Sequence, residues 1–554
     1  MRREEGRLPM RAAIPPQVDP MYSYLIRGAV LVDGSGNPGR RAEVAVAGDR
    51  IAEVAENISG PAAEMVDGGG LVLAPGFIDI HSHTDATLFR YPNAQSKLFQ
   101  GVTVEVTGNC GLGLFPVTPG RERELADFLS LHGFVLPAGG AEWEDFRSYA
   151  DHVDRLGPGV NIAPLVGHAL LRIAAMGMND RPSTAAELGE MERLLESGLA
   201  QGAWGMSTGL IYPPGSYAGE GELTALARVL AGRSALYASH IRNEGDGLMA
   251  ALAEAVSLGR NSGARVQVSH LKAMGREMKG RGPDALALLA SARDEGIDIG
   301  ADQYPYAASA TSLSAVVPPW AHEGGVAPML ARLRDRAVRG RLLAEIGEAI
   351  ASREGAAGIM VGEVRSGRNL AWSGQTLDRV AAAWGCLPAE AVVRLVLEEE
   401  GGVGAIYFSM AESDVAAILA DPHVAVGSDG HGLDAASASG EATHPRSYGA
   451  FPRVLGRYVR DERLLSLEVA IYKMTALPAR RIGFPDRGMV RPGFVADLVL
   501  FDPAGIGDAA DYASPHRYSA GIVHLFMDGR PVIRDGELTG LGRGKVVRRR
   551  SSRQ

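Results

Sequence analysis

Five residues in this chain have the chemistry to share metal ions. His81 and His83 stand in GFIDIHSHTD, Cys110 in TVEVTGNCG, His240 in YASHIRN and His270 in VQVSHLK. Each follows a short run rich in Val, Ile or Ala, so each is expected where a β-strand ends. Such donors suit zinc, which takes thiolate sulfur at about 2.3 Å and imidazole nitrogen at about 2.0–2.1 Å. Three protein ligands leave a coordination position for water, which is the catalytic arrangement rather than the structural one. A bound metal brings the pKa of its water to about 7 and polarises a carbonyl. The chemistry implied is metal-assisted hydrolysis.

Each residue has a plainer reading to set beside this one. Strand alternation puts His81 and His83 on one face. As paired core histidines they would need partners for all their ring nitrogens, so the metal reading is the stronger. A lone cysteine is as often an inert buried thiol as a ligand. Cys110, after Gly-Asn and before Gly-Leu-Gly at a strand end, reads as a ligand. Cys386, in AAWGCLPAE, reads as core. Asp429, in VAVGSDG, is the candidate general base and later acid, although Asp before Gly is also common in simple turns. His168 closes an apolar run without an evident role, and His423 and His431 flank Asp429. His132, His152, His322, His516 and His524 read as surface or core histidines.

Positioning these groups takes a scaffold of strand ends. Apolar strand patterns occur at 76–81, 103–110, 160–168, 202–209, 235–240, 265–270, 298–306 and 424–430. Ala/Leu/Glu-rich stretches of helical period, such as 184–201 and 244–260, lie between them. This pattern predicts an α/β fold, a (β/α)8 barrel over 76–489 with its site at the C-terminal strand ends. The long gap between the seventh and eighth strands (307–423) predicts an inserted subdomain within about 315–400. Residues 23–75 and 490–548 read as short strands and turns that pair into one β-sandwich. Residues 1–22 read as an unstructured extension, with Met21 an alternative start.

Composition narrows the partners. A formal charge of −9 gives no reason to expect nucleic acid or an anionic membrane. Two cysteines in 554 residues fit a reducing compartment. The opening MRREEGRLPMRAAIPPQVDP lacks the apolar stretch of a signal, and no run approaches a membrane span. The expectation is a cytoplasmic enzyme, monomeric or homo-oligomeric, acting on a small molecule. The basic tail KVVRRRSSRQ reads as a solvated end.

The order HSH, Cys, His, His and a late Asp resembles the amidohydrolase superfamily, and within it the N-acyl-D-amino-acid deacylases. GVTVEVTGNCGLGLFP (101–116), LVGHALLR (165–172), MSTGLIYPPGS (206–216), SHIRNE (239–244), GSDG (427–430) and HPRSYGAFPRVLGRYVR (444–460) carry the likeness. The resemblance implies zinc, with Cys110, His240 and His270 as the tight site and His81, His83 and Cys110 framing a weaker one. Cysteine would stand where many amidohydrolases place a bridging carboxylated lysine. It implies Arg446 as the anchor of the substrate α-carboxylate, a group its bidentate fork suits, with Lys272 and Tyr212 assisting. Tyr304 and Tyr306 are expected to line the side-chain pocket. The stretch 307–321 contains no Lys or Arg, which predicts neutral, apolar D-side chains. Alternatives are a dihydroorotase- or hydantoinase-like cyclic-amide hydrolase, which the missing lysine disfavours, a dipeptidase acting on C-terminal D-residues, and a non-catalytic scaffold.

Overall fold

The computed structural model describes residues 21–437, 442–540 and 544–550. Eight parallel strands form its centre. They are β1 (Phe77–Asp79), β2 (Val102–Thr107), β3 (Asn161–Pro164, resuming as Val166–Gly167), β4 (Gly205–Gly209), β5 (Leu236–His240), β6 (Arg265–Val268), β7 (Ile299–Gln303) and β8 (Val424–Val426). Each pairs in parallel with the next along the chain. The break in β3 is spanned by the Leu165 amide, which donates to the Thr107 carbonyl at 2.9 Å. A parallel bridge between Ser82 and Gly430 brings the end of β8 back to the end of β1 and completes the ring. The fold is the expected (β/α)8 barrel.

Local sequence explains why the strands read as unbroken apolar runs. Every residue of β2 is buried, because helices cover the outside and side chains fill the inside. The helix Ala185–Gln201 starts with a capping box, in which Thr184 accepts from the Glu187 amide and Glu187 reaches back. The helix expected over 244–260 instead spans Leu248–Ser262. Glu244 is thereby left in the loop at the strand end.

The insertion after β7 has its own apolar core, including Leu333, Leu342, Ile346, Val361, Val392 and Leu395. It is wider than the predicted 315–400. It begins with the strand Ser309–Ser312 and ends with Gly404–Tyr407, which pair antiparallel, and Ile359–Val361 lies on the other side of the latter. The polar, small-residue SATS carried no apolar alternation to announce a strand.

The segments flanking the barrel form two further sheets. One joins Tyr22–Arg27, Glu43–Ala47, Arg50–Ala55 and Ala62–Asp67. In the other, Leu498–Phe501 pairs antiparallel with Val72–Pro75, so both ends of the chain share a sheet. Tyr22, expected within the unstructured extension, starts a strand, while residues 1–20 lie outside the described residues. The basic tail also departs from expectation. Val546 bridges to Ile162 of β3, and Arg548 pairs with Asp151 and Asp154 at 2.6 and 2.7 Å. Carboxylates on the helix Phe146–Leu156 draw this end onto the barrel, and residues 551–554 lie outside the described residues. Among the described residues no single helix is long and apolar enough to cross a membrane.

Candidate metal centre

The five donors and Asp429 converge above the barrel in two groups that share Cys110. In one, ligating atoms of His81, His83, Cys110 and Asp429 all lie within 4.8 Å of one another; in the other, those of Cys110, His240 and His270 do. Cys110 Sγ is 3.4 Å from His81 Nε2 and 3.3 Å from His270 Nε2. Asp429 Oδ1 is 3.5 Å from His81 Nε2 and 3.2 Å from His83 Nε2. The alternation in HSH turns Ser82 away, where its hydroxyl donates to Glu105 at 2.6 Å.

The backbone is strained at three of these positions. Cys110, His270 and Asp429 have φ of 56°, 35° and 51°, a left-handed conformation that costs a non-glycine residue about 1–3 kcal/mol. The turn after Cys110 is tight as well. A Cβ on Gly111 would stand 2.6 Å from the Gly209 amide nitrogen. Strain gathered where donors converge indicates that their direction, rather than local stability, sets the conformation.

Carboxylates orient the rings. Asp302 on β7 accepts from the His270 amide at 2.8 Å and faces His81 Nδ1 at 3.0 Å. Glu244 is 3.1 Å from His270 Nδ1. His240 differs from the rest, because both its ring nitrogens are buried without a hydrogen-bond partner. Burial and orphaned nitrogens beside a cysteine are what a bound divalent ion would satisfy, and one thiolate with two imidazoles fits a borderline-soft ion.

Burial penalises charge throughout the cluster, and neighbours decide which groups carry it. It works against a charged His83, but Asp429 and Cys110 hold the ring up at about 9. For His240 burial prevails and lowers the pKa. Burial would raise Cys110, yet the His270 and His81 rings hold the thiol well below its usual range. Burial would likewise raise Asp429, but Arg446 and His270 keep its carboxyl well below normal.

Arg446 opens the helix Arg446–Arg453 beyond β8. Its Nη1 lies 2.7 Å from Asp429 Oδ2, yet that buried nitrogen makes no aligned hydrogen bond. His444, beneath it, accepts from the Arg446 amide at 3.0 Å. Lys272 is tied to Glu244 at 2.5 Å and to His270 Nδ1 at 2.8 Å. Tyr212 bonds Thr311 at 3.0 Å, and its ring meets His240 edge-on at 5.0 Å.

A cavity of ≈ 660 Å³ covers the cluster and includes Tyr212, Lys272, Asp429 and Arg446 in its walls. Tyr304 and Tyr306 do not line it as expected. Tyr304 lies behind two cations, its ring 4.8 Å from the Arg446 guanidinium and 5.7 Å from Lys272 Nζ. Tyr306 bonds Asp508 at 3.3 Å and packs under Arg453. Both rings back the wall through the cations that they pack against. His168 is bound to Glu222 at 2.9 Å, away from the donors. Other residues line the cavity without having been expected there: His132 and His431, and from the insertion Arg353 and Arg365. Glu244 and Asp302 were likewise missed, although the four-residue step from His240 to Glu244 was visible.

A model of the amidohydrolase family matches residues 64–533. The chain belongs to the amidohydrolase family. This amidohydrolase is 37% identical over 536 residues to the D-aminoacylase of Alcaligenes xylosoxydans xylosoxydans, covering 95% of this chain and 98% of that one. The crystal structure of N-acyl-D-glutamate deacylase from Bordetella bronchiseptica, complexed with zinc and a phosphonate mimic of the tetrahedral intermediate, matches at TM-score 0.80 and 37% identity. That match covers 95% of this chain and 99% of that one. A D-aminoacylase structure with a binuclear metal centre, described by one-metal activation and second-metal attenuation, matches at TM-score 0.80 and 35% identity over 95% and 100%.

Proposed function

We propose that this amidohydrolase is a zinc-dependent deacylase of linear N-acyl-D-amino acids, releasing a carboxylate and a free D-amino acid. The observation that carries the reading is the meeting of two donor groups at Cys110 beside an Arg446-paired carboxylate, Asp429. Cys110, His240 and His270 would hold the tight zinc, and His81 and His83 with Cys110 a weaker one. When bound, zinc supplies a Lewis acid that acidifies water and polarises the amide carbonyl. Asp429 takes the proton from the attacking water and returns it to the leaving nitrogen as the C–N bond breaks. Arg446, whose Nη1 faces Asp429 without an aligned hydrogen bond, anchors the α-carboxylate and so fixes the D-configuration relative to Asp429. Tyr212 assists at the cavity wall, while Lys272 and Tyr304 position Glu244 and Arg446 respectively.

For the side chain, the wall formed by Ala310, Ala315, Val364 and Ile406 favours neutral, apolar D-residues. A second reading rests on Arg353 and Arg365, which line the same cavity and whose guanidinium groups donate to the Ala349 and Ser130 carbonyls. These two guanidinium groups would suit an acidic D-side chain. Zinc-loaded enzyme assayed on N-acetyl-D-leucine, N-acetyl-D-glutamate and their L-enantiomers decides. A higher kcat/KM for the D-glutamate derivative favours the second reading, and exclusive L-activity overturns the function. We further read the chain as cytoplasmic, monomeric or homo-oligomeric, with the sandwich and insertion as units distinct from the barrel.

A further inference from the structure

Beside the metal centre lies a second, larger cavity of ≈ 1190 Å³. Leu131, His132, Ile211, Tyr212, Met274 and Arg353 line both spaces, so the two adjoin. The junction adjoins the Cys110–His240–His270 group. Tyr212 there meets the His240 ring, and Glu244, another shared wall residue, lies 3.6 Å from His240 Nε2. Tyr212, Glu244 and Met274 follow β4, β5 and β6. In an eight-stranded ring β4 lies opposite β8, beyond which Asp429 and Arg446 stand, and β5 and β6 follow β4 round the ring.

We propose that this second chamber receives the acyl chain of the substrate, and that the chain it fits is aliphatic, uncharged and longer than acetyl. The inference rests on the N-acyl-D-amino-acid reading above. With the carboxylate at Arg446 and the scissile carbonyl over Cys110, a trans amide directs its acyl substituent away from Arg446, towards β4–β6. Val316, Val317, Pro318, Pro319 and Met278 wall the far part of the chamber, and Val316 and Val317 are almost wholly buried. Six carboxylates but three arginines border it, so a dianionic substrate with a succinyl-type acyl group meets net repulsion. A neutral chain meets none and gains from each buried methylene.

The test compares kcat/KM for N-octanoyl- and N-acetyl-D-methionine with zinc-loaded enzyme, alongside N-succinyl-D-methionine and L-leucyl-D-methionine. The expected result is a preference for octanoyl over acetyl of at least about tenfold, well within the gain available from the extra methylenes, with succinyl the poorest. Ala349→Trp and Ala351→Trp, on the helix Arg339–Ser352, fill this chamber and lie outside the first. Each should lower the octanoyl-to-acetyl ratio at least about tenfold at unchanged zinc content. An octanoyl-to-acetyl ratio at or below one in the unmodified enzyme overturns the chamber's assignment while leaving the deacylase reading intact. So does a clear preference for the dipeptide, which would make the chamber a peptide site. Hydrolysis of none of the four substrates overturns the deacylase reading, and this inference with it.

Discussion

The two halves of the donor cluster share Cys110 but are prepared differently. On the β1 side every donor already has a protein partner: His81 faces Asp302, His83 faces Asp429, and Asp429 faces Arg446. On the β5 side His240 has neither ring nitrogen satisfied, in a setting where a buried unpaired polar atom costs about 1–3 kcal/mol. An ion entering the β5 side relieves that cost, whereas one entering the β1 side must replace contacts already made. On the proposed function this contrast favours the Cys110–His240–His270 group as the tighter site, with the other handling protons and taking a second ion more weakly.

The largest effect should come from the shared thiolate. Cys110→Ala removes the common donor, so zinc content should fall to near zero and kcat/KM by at least about a thousandfold, some 4 kcal/mol of transition-state stabilisation. His240→Ala should do nearly the same. Elemental analysis showing a full equivalent of zinc in either variant would dissolve the ranking.

Asp429→Asn tests the other half. The variant keeps the shape but cannot accept the proton, so kcat should fall about 10²–10⁴-fold. Because Asp429 is not in the tight group, one equivalent of zinc should remain. Loss of that equivalent together with activity would make Asp429 a structural ligand. Arg446→Lys should act less strongly and elsewhere. It loses the planar fork, so KM should rise by roughly ten- to a hundredfold, in line with about 1.5–3 kcal/mol for a charge-assisted contact. A pure kcat defect would instead assign Arg446 to orienting Asp429.

How much of this was legible follows from where each residue sits. Buried parallel strands are apolar throughout, so runs such as VQVSH gave both the barrel and the residue at each strand's end. Asp302 was missed although its strand, 298–306, was read as one, because the groups it orients, the His270 amide and the His81 ring, belong to other strands. Glu244 was absorbed into a helix that in fact starts at Leu248. Arg353 and Arg365 lie far along the chain from the metal donors, and only the folding of the insertion over the barrel brings them to the cavity. The basic tail carried a charge pattern typical of solvated ends, and its docking depends on Asp151 and Asp154, which no local pattern links to it. The donors expected at strand ends are brought together because each strand end is set by its own local run and the barrel gathers those ends.

The smallest effect should come from His83→Ala. His83 belongs only to the β1 group, and its Nε2 is engaged by Asp429 at 3.2 Å. Removing it leaves Cys110, His240 and His270 in place, so the tight equivalent of zinc should stay while a weaker equivalent disappears from the titration. Asp429 loses one hydrogen-bonded neighbour but keeps Arg446, so it stays ionised and in reach of the carbonyl. Turnover should therefore fall by less than about tenfold, the smaller end of what one hydrogen bond to a charged group contributes. Any inhibition by excess zinc should weaken, because the position that the second ion would occupy has lost a ligand. If His83→Ala instead strips both equivalents, the two halves form one cooperative site. The difference drawn from the orphaned nitrogens of His240 would then carry no weight in metal binding.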